Sequence, residues 1–130
     1  MTILIGYLPT PEGEAALDAG LAEAALRGEG VVILNSPRRG APVDGSLVDS
    51  SVADGLVARA AGAGVTASVD QAEHGSDLVD TFVTLAEKHT ASLAVIGLRR
   101  RSPVGKLVMG SNAQRLLLDL PIPVLAVKPR

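Results

Sequence analysis

The chain contains no cysteine and no tryptophan, and its aromatic residues come to 2%, with Tyr7 and Phe82 as the two members. Without cysteine there is no disulfide framework, no thiolate zinc site and no thiol nucleophile. So few aromatics argue against a binder of RNA or single-stranded DNA, which stacks bases on aromatic platforms. The longest apolar runs are of strand length, too short to span a bilayer. Met1-Thr2-Ile3-Leu4 lacks the basic opening of a signal peptide. These absences predict a cytoplasmic protein that engages neither membrane nor nucleic acid.

What is present is small and aliphatic. Of 130 residues, 47% are hydrophobic, so the core must be built from Ala, Val, Leu and Ile. That length fits one domain, 1–130, since two would each be too small for a sound core. The net charge of −2 hides a split. Up to Ile96 there are five basic residues against thirteen acidic ones; from Gly97 onward there are seven basic residues against Asp119 alone. A local basic cluster of this kind suits a phosphate-bearing ligand better than long duplex DNA.

The pattern along the chain alternates strand and helix. Ile3 to Tyr7, Val31 to Leu34, Val65 to Val69, Leu93 to Ile96 and Val124 to Val127 read as strands, the third half-exposed at a sheet edge. Between them run four helical patterns. The first opens at Thr10 as N-cap and Pro11 and closes at Gly28; the second spans Leu47 to Ala61. The third is capped by Ser76, and the fourth carries Ala113, Leu116, Leu117 and Leu120 on its inner face. Asn35 to Ser51 and Leu98 to Val108 read as irregular loops. Continuously apolar strands alternating with helices call for a parallel sheet covered on both faces, and right-handed crossovers then give a three-layer α/β/α, doubly wound, five-stranded sheet.

Such a sheet binds ligands beyond the carboxyl ends of its strands, where the winding reverses. Gly6 to Pro11, Asn35 to Asp44 and Gly97 to Asn112 fall there, and the last ends in Met109-Gly110-Ser111-Asn112 at the start of a helix, a place suited to an anion. Arg101 to Lys106 imitates part of a P-loop, but that motif needs Gly at 100 and Ser or Thr at 107, where the chain has Arg100 and Leu107. Asp70, Glu73 and His74 lack the spacing of a metal site and read as a solvated loop, and no catalytic group is expected.

From Ala91 to Lys128 the text ASLAVIGLRRRSPVGKLVMGSNAQRLLLDLPIPVLAVK resembles the C-terminal signature of the universal stress protein family. Gly97 matches its first loop glycine, Gly110 with Ser111 its last pair, and Leu120 to Val127 its closing strand. Arg100 stands at the family's second glycine, and Leu8 at the aspartate that ends its first strand. The resemblance implies a fold like that of the adenine nucleotide alpha hydrolases and a ligand such as ATP or AMP, alone or with Mg2+. It implies phosphate contacts from Gly97, Gly110, Ser111 and Asn112. It also implies a base and ribose pocket at Gly6, Tyr7, Leu8 and Pro9 and at Asn35 and Ser36. Ile96, Arg99, Arg100, Arg101, Gly105 and Lys106 complete the candidate set, with Arg100 able to clamp a phosphate itself. The same resemblance implies homodimers joined through strand 124–127, an apolar edge that invites pairing. A nucleotide-independent dimeric interaction protein is the alternative. A slow ATP hydrolase is a third reading, disfavoured because the loop supplies no carboxylate to hold a metal.

Overall fold

The computed structural model describes residues 1–35, 50–70, 78–100, 107–108 and 111–129. In chain order these form β1 (Thr2–Gly6), α1 (Pro11–Arg27), β2 (Gly30–Leu34), α2 (Ser50–Gly62), β3 (Ala67–Asp70) and α3 (Leu78–Lys88). They continue with β4 (Ala91–Gly97), β5 (Arg99–Arg100), β6 (Leu107–Val108), α4 (Ser111–Asp119) and β7 (Val124–Val127). Five strands make one parallel sheet in the order β3-β2-β1-β4-β7, while β5 and β6 pair separately and antiparallel.

The apolar strands are buried because both faces of the sheet are covered. Along β1, Ile3 and Ile5 turn to a core shared with Leu17, Leu21, Leu56 and Ala60 of α1 and α2. Leu4 turns to the opposite core, with Phe82 and Leu85 of α3 and Leu116 of α4. Alternation is therefore real but invisible in the sequence, since each side of the strand meets hydrocarbon. Small residues let α1 lie close: Gly13, Ala16, Gly20 and Ala24 are all buried on its inner face. That close approach is how the sheet is covered with so few aromatics.

Helix termini follow local chemistry. The Thr10 side chain accepts from the Gly13 N–H at 3.2 Å, Pro11 opens α1, and Gly28 ends it at φ 65°. α3 ends differently: Thr90 takes φ 51°, the one non-glycine residue with positive φ among the described residues. No helix among the described residues is long and apolar enough to cross a membrane.

Several boundaries differ from the sequence reading. The third strand is Ala67–Asp70 and so includes Asp70; Val65 is buried in the α1/α2 core just before it. The irregular stretch read to Ser51 gives way to helix at Ser50, and α2 continues one residue past Ala61. The loop read from Leu98 to Val108 contains the β5–β6 ribbon. Leu117, read as an inner-face residue of α4, is 36% exposed, while Leu116 and Leu120 are buried. Leu47, Glu73, His74 and the Ser76 cap lie outside the described residues.

Candidate functional site

β1 and β4 lie side by side at the centre of the sheet, with Ile5 opposite Val95. Beyond them the chain departs in opposite directions. β2 and β3 build one flank, with α1 and α2 packed in one core, while β7 builds the other, with α3 and α4 packed in the second core. The winding reverses between β1 and β4, so the ends of these strands, past Gly6 and Gly97, mark the crevice position at which sheets of this type take their ligands.

The β1 wall is tightly braced. The Tyr7 N–H donates to the Leu34 carbonyl at 2.8 Å, and the Tyr7 carbonyl accepts from Asn35 Nδ2 at 3.1 Å. Asn35 is 0% exposed, and its own N–H donates to the Asp70 carbonyl at 3.0 Å. One asparagine thus ties together the ends of β1, β2 and β3. After Tyr7 the chain turns sharply: the Thr10 N–H donates to the Leu8 carbonyl at 2.8 Å, with Pro9 between them. The fixed φ of proline suits so tight a turn. Pro9 is exposed and Leu8 half-buried.

The Tyr7 side chain points away from solvent and is 3% exposed. Its hydroxyl donates to Glu14 Oε1 at 2.6 Å, Glu14 Oε2 accepts from Arg59 at 2.7 Å, and Arg59 also reaches Asp18 at 2.9 Å. Burial, then the Glu14 carboxylate, push the Tyr7 hydroxyl up to about 12. For Glu14 burial acts upward, but the Tyr7 hydroxyl and the Arg59 guanidinium outweigh it and hold the carboxyl below its ordinary value. The network links β1, α1 and α2. A shallow depression of about 170 Å³, lined by Pro11, Glu14, Ala15 and Asp18, lies beside it on the flank of α1. Both of its carboxylates already hold Arg59.

Two helices begin near the crevice, and they differ in electrostatics. At α1 the Thr10 side chain occupies the Gly13 N–H, Pro11 has no N–H to offer, and Glu12 and Glu14 place negative charge in the first turn. An anion is repelled there. α4 begins at Ser111 with no acidic residue in its first turn.

The β4 wall leads to that second helix. A side chain at Gly97 would run into the backbone carbonyl of Glu12, so glycine is required by the contact between β4 and the first turn of α1. A side chain at Gly6 would come within 2.9 Å of the Phe82 ring. Both glycines therefore have a packing role whatever the crevice holds. Ile96 is buried in the α3/α4 core. The Leu98 N–H donates to the Val127 carbonyl at 2.8 Å, tying β4 to β7. Arg99 and Arg100 then pair with Val108 and Leu107, and this ribbon returns the chain to within three residues of Ser111. Arg100 thus sits in extended backbone that any residue adopts.

The structure accordingly gathers Gly6, Tyr7, Leu8, Pro9, Asn35 and Gly97 at one end of the sheet, with the backbone of Arg99 and Arg100 following after Leu98 and Ser111 and Asn112 opening α4. Ser36, Arg101, Gly105, Lys106 and Gly110 lie outside the described residues. The sequence reading did not anticipate the Tyr7–Glu14–Arg59–Asp18 network. Its one legible signal was the pair of acids in the first turn of α1. Among the described residues, no three His, Asp or Glu side chains gather as a metal site.

The geometry agrees with what the chain is similar to. The model of the universal stress protein family matches residues 1–128. A universal stress protein of Mycolicibacterium smegmatis is 41% identical over 127 residues, which is 98% of this chain and 97% of that one. Among solved structures, a universal stress protein from Archaeoglobus fulgidus superposes with a TM-score of 0.76 at 28% identity, covering 98% of both chains. A universal stress protein from Archaeoglobus fulgidus in complex with dAMP has the same fold, with a TM-score of 0.72 at 24% identity and 98% of both chains covered. With a family model spanning nearly the whole sequence and a relative this similar, the chain belongs to the universal stress protein family.

Proposed function

We propose that this chain binds an adenine nucleotide, ATP or AMP, in the crevice between the ends of β1 and β4, and acts as a dimeric, cytoplasmic regulatory module of the stress response. The phosphates lie at the start of α4, against Gly97, Gly110, Ser111 and Asn112, with the basic residues Arg99, Arg100, Arg101 and Lys106 supplying positive charge. Any Mg2+ arrives with the phosphates of ATP, the usual way that ion is held. The base and sugar lie toward Leu8, Pro9 and Ser36.

The observation that carries this reading is the contrast between the two helix starts. At the reversal of winding, α1 begins capped and acidic, while α4 begins without acids and follows the ribbon of Arg99 and Arg100. Of these two helix ends, the start of α4 is the one that favours an anion. Family membership and the dAMP complex of a protein with this fold support the choice of an adenylate.

Calorimetric titration with ATP and AMP tests the proposal. Saturable heat with one nucleotide per chain is expected, and both Ser111→Ala and Gly110→Val should weaken binding while the melting temperature stays nearly constant. No heat at millimolar nucleotide would favour an interaction protein that needs no ligand. The internal commitment of Tyr7, Asn35 and Thr10 is the feature that speaks for that second reading.

A further inference from the structure

The acids at the start of α1 are not equivalent. Glu14 and Asp18 both hold Arg59, at 2.7 and 2.9 Å. Glu12 is half-buried and makes no ion pair among the described residues. It is also the acid that lies against the β4 wall. Its carbonyl blocks the space a side chain at Gly97 would take, and its Cβ stands 3.0 Å from that position. A glutamate carboxylate reaches about 4 Å from its Cβ, so that of Glu12 lies within about 7 Å of the end of β4 in every rotamer. Negative charge suits the start of a helix. It is the wrong charge to set beside the phosphates of a nucleotide unless a cation stands between. From Leu98 to Asn112 the chain has no acidic residue, so a carboxylate for such a cation has to come from outside that segment, as Glu12 does.

On the reading that the phosphates lie at Gly97, we propose that Glu12 binds the magnesium chelate of ATP, its carboxylate taking a position on the Mg2+ directly or through one bound water. The donor chemistry fits. Mg2+ is a hard cation held by oxygen, commonly by one or two carboxylates together with substrate phosphates, and it keeps several waters. No three acidic or histidine side chains gather among the described residues, so the triphosphate and water have to supply the remaining oxygens. A single glutamate is enough on the protein side. The charge of Glu12 then acts with two signs: it repels free ATP and attracts the chelate. The site selects Mg-ATP over the metal-free nucleotide, and Glu12 is the residue that sets this selection.

The test is calorimetric titration of the wild-type protein with ATP in excess Mg2+ and again in EDTA. ATP should bind tighter with the ion by about fivefold or more. In Glu12→Gln that ratio should fall to less than half, chiefly because metal-free ATP binds this variant more tightly than it binds the wild type. A gain in one condition with a loss in the other separates this role from packing, which would move both affinities in the same direction. A wild-type ratio below about fivefold overturns the proposal and leaves the nucleotide site standing. So does a folded Glu12→Gln protein that keeps half of the wild-type ratio or more. If ATP binds under neither condition, the site assignment itself falls, and this proposal with it. Should circular dichroism show that Glu12→Gln does not fold, Glu12→Ala takes its place, with the same two shifts expected.

Discussion

Tyr7 is the single tyrosine of the chain, so its ionisation can be followed by ultraviolet absorbance without interference. Buried and bonded to Glu14, its hydroxyl should titrate near 12, against an ordinary value of 10.0. Glu14→Gln should move the midpoint downward by removing the adjacent negative charge; a wild-type midpoint near 10 would show that the phenol is not buried as described. A raised folded value means that the contribution to stability is whole below pH ~10 and is lost as pH rises toward about 12. Glu14 is depressed, so its contribution is present above the ordinary carboxylate range and lost on acidification through its lowered value. Arg59 stands well exposed beside them, and its pairs with Glu14 and Asp18 are each worth only about 0–1 kcal/mol. Of this the sequence showed only the acids in the first turn of α1, because Tyr7, Glu14 and Arg59 meet only after α1 and α2 have packed on the sheet. Leu8 and Arg100, by contrast, could be singled out from the sequence, because each departs from the pattern of the family that the chain resembles.

Helices and strands were the most legible parts, since each strand is an apolar run and each helix a periodic one. Where the sequence misled, the cause was local. The β5–β6 ribbon has only two residues per strand, too few to show alternation, and its Arg99-Arg100 half reads as a solvated loop. Leu117 falls on the apolar spacing of α4 yet turns to solvent beside the exposed Leu118. The end of α3 carries a further, testable irregularity. Thr90 adopts the left-handed conformation, which costs a β-branched residue about 1–3 kcal/mol and suits glycine. Because Thr90 is exposed, little packing is lost by shortening it. Thr90→Gly should therefore raise stability by about 0.5–1 kcal/mol, read as a higher midpoint in urea denaturation. A lowered midpoint would mean that the threonine side chain makes a contact worth more than the strain.

The molecule as a whole leaves β7 at the edge of the sheet, with all four residues half-buried. The carbonyls of Pro123 and Val127 accept from Ala94 and Leu98 of the β4 segment. Backbone groups alternate along a parallel strand, so Val124 and Ala126 turn theirs to the open side. A bare apolar edge invites a second copy. Light scattering should give twice the chain mass of 13.2 kDa. Ala126→Pro removes an N–H that β4 does not use, and should yield a folded monomer. A wild-type monomer, or an Ala126→Pro variant that stays dimeric, would exclude this edge as the interface. The doubly wound architecture was legible from the order of strands and helices alone, because right-handed crossovers leave few alternatives. The contents of the crevice were less so: Thr10, Pro11 and the acids after them mark the start of α1 in the sequence, but only the folded chain shows the Thr10 side chain taking the Gly13 N–H. The most direct test is therefore an amide chemical-shift map of the ¹⁵N-labelled protein titrated with ATP. Progressive shifts should cluster at Leu98 to Arg100 and at Ser111 and Asn112 opening α4, with Gly13 and Glu14 of α1 nearly unmoved. Spectra left unchanged at millimolar ATP, or shifts centred on the first turn of α1, would contradict the assignment of the anion to α4.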